Sequence, residues 1–216
     1  MPPVQAAVSI PAGDAALEGA LVVPESARGI VLFAHGSGSS RKSPRNAFVA
    51  RALRAAGLGT LLFDLLTAAE DADYERRFEI ELLSRRLAEG MRFARDDPRT
   101  QGIPIGLFGA STGAAAALQV AARFPDHVGA VVSRGGRPDL AGRAALRRVE
   151  APTLLIVGGH DYGVIELNEA ASRELHCEKE IAIVPGATHL FEEPGTLDEV
   201  ARLAAAWFVR HLAPTA

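Results

Sequence analysis

The sequence predicts an α/β fold, a mainly parallel central sheet of about eight strands with helices on both faces. Three observations predict it. Short apolar runs of β-forming residues alternate with helix-period segments almost to the end of the chain. The runs at 29–34, 60–64, 103–108, 128–133 and 152–157 lack polar alternation, which is the pattern of strands covered on both faces. No repeat, low-complexity linker or shift in composition divides the 216 residues, so one domain over 1–216 is expected.

The elements follow in order. Residues 4–10 and 17–23 flank Pro11-Ala12-Gly13-Asp14 and read as an opening hairpin. The run at 29–34 is the third strand and ends in the loop His35-Gly36-Ser37-Gly38-Ser39-Ser40. Residues 44–56 carry Phe48, Ala52 and Leu53 at helical spacing, with Gly57 as the stop. The fourth strand is 60–64. Residues 74–95 place Ile80, Leu83, Leu87, Met91 and Ala94 on one face, predicting one long amphipathic helix closed by Asp97-Pro98. Strands are expected at 103–108, 128–133, 152–157 and 181–184. Helices are expected from the Gly109–Gly113 turn to about Arg123, over 163–175 and over 196–212.

Composition excludes several classes of function. The net charge of -3 and pI near 6.1 give no general attraction to nucleic acid or to an anionic membrane. No basic segment precedes an apolar run at the N-terminus, and no stretch approaches the roughly 20 apolar residues that span a bilayer. A cytoplasmic location is the expectation. The single Cys177 forms no intrachain disulfide and reads as an incidental thiol. No His/Cys cluster has metal-ligand spacing, so neither a metal nor a cofactor is expected.

The chemistry starts at Gly109-Ala110-Ser111-Thr112-Gly113. A G-x-S-x-G turn between a buried strand and a helix holds its serine on a sharp, strained bend. The glycines keep neighbouring backbone clear, and the helix N-terminus favours negative charge. Ser111 is the expected nucleophile; the alternative is an N-cap in a glycine-rich connector.

With this turn, three other stretches resemble the dienelactone-hydrolase-like branch of the α/β hydrolases. They are Leu32-Phe33-Ala34-His35-Gly36-Ser37-Gly38, residues 151–161 ending in Gly158-Gly159-His160-Asp161, and Pro185-Gly186-Ala187-Thr188-His189. The resemblance covers nearly the whole chain. It implies an α/β-hydrolase fold and nucleophile–acid–base chemistry without a cofactor. Dienelactone hydrolase itself is known for a cysteine nucleophile, and here the residue is serine, so the resemblance implies the fold without implying that substrate.

A serine hydroxyl needs an adjacent base. Of the six histidines, His127, His176 and His211 lie in polar or helical surroundings and are expected to be solvated. His35 belongs to the loop after the third strand, and His160 precedes Asp161. His189 follows the last strand and precedes the final helix, the place from which this fold takes its base. The order Ser111, Asp161, His189 is nucleophile, acid, base. Asp161 would accept the imidazole N–H and hold its tautomer; the alternative is a cap on the helix that follows. Asp161 ranks ahead of Asp139 and Asp64, which also follow strands.

The oxyanion hole is expected from the backbone N–H of Thr112 and of Ser37. The segment 134–151 is short for a lid, predicting an open cleft and small or medium acyl substrates. His35, Arg41, Arg45, Arg134 and Arg137 fall near the expected mouth, and guanidinium forks suit carboxylates and phosphates. An anionic ester is therefore a candidate substrate, set against ordinary surface charge. The partner expected is a small-molecule ester. Ester hydrolysis leads, a thioesterase or lactonase with the same three residues comes second, and a binding protein on a hydrolase scaffold is the alternative outside enzymes.

Overall fold

The computed structural model describes residues 3–212. The apolar runs become eight strands: β1 (Val4–Ala12), β2 (Ala15–Val23), β3 (Ile30–Ala34), β4 (Gly59–Phe63), β5 (Ile105–Ala110), β6 (Ala130–Arg134), β7 (Thr153–Gly158) and β8 (Lys179–Val184). They form one sheet in the order β1-β2-β4-β3-β5-β6-β7-β8. β1 and β2 pair antiparallel, β2 runs antiparallel to β4, and every other neighbouring pair is parallel.

Burial explains the sequence patterns. Along β1 and β2 alternate residues turn inward, ending in buried Ile10, Ala12, Leu17, Leu21 and Val23, because one face of this hairpin stays open to water. Every residue of β3, β4, β5, β6 and β7 is buried, as parallel strands between two helix layers require.

The helices among the described residues are α1 (Pro44–Ala55), α2 (Ala68–Asp71), α3 (Ile80–Asp96), α4 (Thr112–Arg123), α5 (Arg143–Leu146), α6 (Tyr162–Glu174) and α7 (Thr196–His211). α1 and α7 cover one face through Val49, Leu53, Val200, Ala204 and Phe208. α3, α4, α5 and α6 cover the other through Leu83, Leu87, Ala115, Leu118, Leu146 and Ala171. The alanines of α4 let that helix lie close to the sheet, with Ala114, Ala115, Ala116 and Ala117 all fully buried.

One prediction fails between 74 and 95. Residues Glu75–Phe78 form a 3-10 turn, and the α-helix starts only at Ile80. No Gly or Pro marks the break. A tether six residues long accompanies it: Arg77 Nε and Nη2 both donate to the Asp71 carbonyl, at 2.9 and 2.6 Å, tying the segment to the one-turn α2. α2 itself is capped by Thr67 and Glu70, each accepting from the other's backbone. The segment after β6 contains a 3-10 turn (Pro138–Ala141) and α5, which pack on α4 and α6 rather than over the strand ends. No helix among the described residues is long and apolar enough to cross a membrane.

The strand order fixes where chemistry can occur. From β3 the chain crosses one face through α1 to β4; from β4 it crosses the other face through α3 to β5. The loops leaving β3 and β5 therefore part company at their carboxyl ends. A crevice opens at such a switch point, where open α/β sheets bind ligands.

Candidate active site

Ser111 stands at that crevice, between β5 and α4, with φ 50 and ψ -121. A non-glycine residue in this region is strained, by about 1–3 kcal/mol, and persists only where its surroundings impose it. The surroundings are visible. The Ser111 N–H donates to the Arg134 carbonyl at 3.3 Å, and its carbonyl accepts from Ala114 and Arg137 N–H at 3.1 Å each.

Both flanking glycines are needed for space. A Cβ on Gly109 would lie 2.4 Å from Ala114 Cα, and one on Gly113 would lie 2.1 Å from the Ala34 carbonyl oxygen. The obstacles are backbone, so they cannot rotate aside. Gly113→Ala is expected to destabilise the fold by about 3 kcal/mol, read as a lower urea midpoint at an unchanged m-value. Gly36 has the same duty across the crevice, where a Cβ would meet Ser111 Cβ at 2.9 Å.

His189 Nδ1 lies 2.6 Å from Asp161 Oδ2. Asp161 occupies the N-cap position of α6, yet its side chain caps nothing. The capping alternative is therefore wrong for the carboxylate. Two glycines bring the pair together. At the end of β7, a Cβ on Gly158 would lie 2.4 Å from the Ala187 carbonyl, so the bare backbone admits the 187–189 loop. After β6, Gly135 takes φ 49 and passes His189 so closely that a Cβ there would lie 3.5 Å from Nδ1. The loop is braced by the Glu193 carboxylate, which accepts from Thr188 N–H and hydroxyl, and by buried Phe191.

The other acids are engaged elsewhere. Asp64 holds Arg41, accepting its backbone N–H at 2.7 Å and pairing with its guanidinium. Asp139 pairs bidentately with Arg137 at 2.9 and 2.7 Å. Neither Ser111 Oγ nor His189 Nε2 has a hydrogen-bond partner among the described residues, so no hydrogen bond joins the two side chains in this structure.

The oxyanion expectations are altered in one respect. Thr112 N–H is the first of α4 and meets no backbone acceptor. Ser37 N–H is not free: it donates to Thr112 Oγ1 at 3.0 Å. That bond joins two loops 75 residues apart, and sequence gave no sign of it.

Both ring nitrogens of His35 are engaged within the fold. Its Nε2 accepts the Leu65 N–H at 3.0 Å, and its Nδ1 lies 3.0 Å from the Gly36 carbonyl. One neutral tautomer satisfies both, pinning the loop after β3 to the end of β4. Burial pushes its pKa below the usual histidine value, against the pull of the Gly36 carbonyl. The unfolded chain therefore takes up the proton first. Stability is complete above about pH 6.5 and declines as pH falls below it. The slope of stability against pH between about 7 and 5 is expected to be shallower in His35→Asn.

The arginines divide. Arg41 is paired to Glu18 and Asp64 and lines a cleft of about 420 Å³ behind the loop, with Leu17, Asp71 and Thr67. Arg137 is taken by Asp139. Arg45 donates through Nη1 to Glu192 at 2.9 Å, while its Nε is buried without a partner. Arg134 is buried with no carboxylate partner among the described residues. Sequence showed four equivalent cations because their partners are distant in the chain.

Of the remaining histidines, His160 is exposed, and His211 is packed on the Trp207 ring at 4.5 Å rather than solvated. Cys177 is half-buried against Thr153, and burial pushes its thiol pKa up, the opposite of activation. No group of three metal-ligating side chains occurs among the described residues.

With this geometry in hand, similarity places the chain. The family model described as "Dienelactone hydrolase family" matches residues 17–211. The chain belongs to that family. It is 54% identical to the crystal structure of a dienelactone hydrolase from Anabaena variabilis, with a TM-score of 0.93 over 98% of this chain and 99% of that one. The fold is that of the α/β hydrolases. XC6422 from Xanthomonas campestris, described as an α/β serine hydrolase without a lid, shares this fold at 22% identity, with a TM-score of 0.78 over 100% and 98% of the two chains.

The chain is also 56% identical over 205 residues to a Mycobacterium tuberculosis protein named "Putative phosphoribosyl transferase Rv0571c", covering 95% of this chain and 46% of that one. It thus spans about half the length of the curated relatives it matches. The residue at the nucleophile turn of this family member is Ser111.

Proposed function

We propose that this chain is a serine hydrolase that cleaves carboxylic esters of small or medium acyl groups through an acyl-enzyme on Ser111. The observation that carries the proposal is the 2.6 Å contact of His189 Nδ1 with Asp161, at the same crevice as a strained, unpartnered Ser111.

In this scheme the carboxylate holds the proton on Nδ1 and leaves the Nε2 lone pair facing the crevice. Nε2 takes the Ser111 proton as Oγ attacks the ester carbonyl, and the carbonyl electron pair moves onto oxygen. Thr112 N–H meets that oxyanion, and Ser37 N–H joins it by exchanging the Thr112 hydroxyl for the new negative charge. Collapse expels the alcohol, which takes the proton from Nε2. Water then repeats the sequence against the acyl-enzyme, releasing the acid and restoring Ser111.

A segment after β6 that packs down on α4 and α6 leaves the crevice uncovered, which favours modest acyl groups over long ones. The reading is tested with purified protein against matched p-nitrophenyl esters, thioesters and lactones. Esters of short acyl chains are expected to turn over fastest, with a burst of alcohol release. Turnover of lactones or thioesters alone would move the assignment to that class, and folded protein inert to all three would overturn it.

A further inference from the structure

Ser111 is held by the loop that leaves β6. Its N–H donates to the Arg134 carbonyl, and its carbonyl accepts from the Arg137 N–H at 3.1 Å. The Arg137 N–H belongs to the same peptide unit as the Gly136 carbonyl, and that carbonyl accepts from Asn168 Nδ2 at 3.0 Å. The unit is planar and trans, so its C=O and N–H point in opposite directions. Fixing one fixes the other. Asn168, bonded to the carbonyl, thereby aims the N–H at Ser111. The bond it aims fixes the direction of the Ser111 carbonyl, and with it the ψ of -121.

Asn168 lies on α6, the helix that starts beside Asp161, and is 0% exposed. Its nitrogen faces two carbonyls, those of Gly136 and of Val164, the latter at 2.8 Å, so both amide N–H groups are spent. Its Oδ1 is buried with no hydrogen-bond partner among the described residues. α6 buries Asn168 and Ala171, so one of these two inward positions goes to an amide with an unmatched acceptor. An apolar side chain of similar size would bury more apolar surface and orphan nothing. Stability alone does not favour the amide; its hold on the peptide behind the nucleophile does.

The same loop abuts the base. A Cβ on Gly135, the residue before that peptide, would lie 3.0 Å from the His189 carbonyl oxygen and 3.5 Å from Nδ1. A Cβ on Gly136 would lie 1.9 Å from Ser133 Oγ and 2.6 Å from Ala114 Cβ, so the loop is seated on β6 and α4 without slack. One side chain thus ties the helix of the acid to the backbone of the nucleophile, through a loop that passes the base.

We infer that Asn168 is a positioning residue for the Ser111 site, a strut from α6 that keeps the Gly136–Arg137 peptide aimed at the Ser111 carbonyl and so maintains the strained turn. The inference rests on the hydrolase reading for its effect on turnover. Its mechanical half, the imposed strain, stands apart from that reading. Asn168 acts through backbone, and no bond is made or broken at it.

Two measurements test the strut. Kinetics compare the parent with Asn168→Leu and Asn168→Ala on a p-nitrophenyl ester of a short acyl chain. A displaced nucleophile is expected to lower kcat by about tenfold or more, with KM changed by less than about twofold. Gln119→Leu is the control. Gln119 donates to the Ala141 carbonyl at 3.3 Å, farther along the same segment. Its loss is expected to leave kcat within about twofold of the parent. Thermal midpoints then compare Ser111→Gly in the parent and in each Asn168 variant. Glycine relieves the strain and raises the midpoint of the parent. Without the strut the strain is already released, and the rise is expected to shrink by about half or more. Asn168→Ala keeps the test alive should Asn168→Leu fail to fold. Coupling of the two positions in a parent without ester turnover leaves the strut standing and removes the hydrolase reading. Three results overturn the inference. They are an unchanged kcat in a folded Asn168 variant of an active parent, an equal loss in Gln119→Leu, and a Ser111→Gly rise that is absent or the same in both backgrounds.

Discussion

Replacing Ser111 with alanine is expected to lower ester turnover by about 10⁴-fold or more, because the group that forms the acyl-enzyme is gone and only binding and oxyanion contacts remain. The fold should survive, since alanine bears the same strain at φ 50 that serine bears. Glycine at this position separates strain from chemistry more sharply. It has no Cβ to collide with its own backbone at φ 50. Ser111→Gly is therefore expected to be as inactive as alanine and more stable than the parent by about 1 kcal/mol, which is about 2–4 °C in Tm for a chain of this size. An inactive protein that is also stabilised is the signature of backbone strain kept for function. A Ser111→Gly variant less stable than Ser111→Ala would contradict that account of the turn.

Asp161→Asn is expected to cost about 10⁴-fold in kcat with little change in KM. The carboxylate accepts from Nδ1, so the proton stays there and Nε2 offers its lone pair. An amide in the same place presents N–H to Nδ1, draws the proton onto Nε2 and removes the base from the crevice. Asp64→Asn and Asp139→Asn serve as comparisons, because those carboxylates hold Arg41 and Arg137 and lie outside the proton path. Less than a tenfold loss in Asp161→Asn would remove Asp161 from its assigned role.

How far the sequence could be read depended on the range of the interactions involved. Local signals were legible. The buried strands were recognisable because both faces are covered, and Gly109–Gly113 was recognisable because two glycines have backbone within 2.4 Å of where a Cβ would sit. His189 was found by its place after the last strand. Asp161 was separable from Asp64 and Asp139 by order along the chain, yet the physical reason for preferring it is that the other two carry arginines.

Pairings across the fold left no trace. The Thr112 hydroxyl on Ser37, the Leu65 N–H on His35 and the Glu18 carboxylate on Arg41 join residues 75, 30 and 23 positions apart. Their partners were invisible, so His35 and Arg41 were grouped with the substrate contacts. The same blindness hid Arg134, whose distinction is the absence of a partner. Gly135 and Gly136 left a signal that could have been used: two adjacent glycines at the end of a strand beside the nucleophile strand mark backbone that something approaches closely. The break at Glu79 had no local signal, because the helical period of 74–95 continues across it; the tether from Arg77 to Asp71 accompanies it.

The central claim is that Ser111 is a nucleophile activated by His189. It is tested most directly by incubating folded protein with a fluorophosphonate and measuring intact and peptide masses. The account predicts a single adduct on the peptide containing Ser111, none in Ser111→Ala, and greatly slowed labelling in His189→Ala. A folded wild-type protein that stays unlabelled, or an adduct that persists in Ser111→Ala, would contradict it.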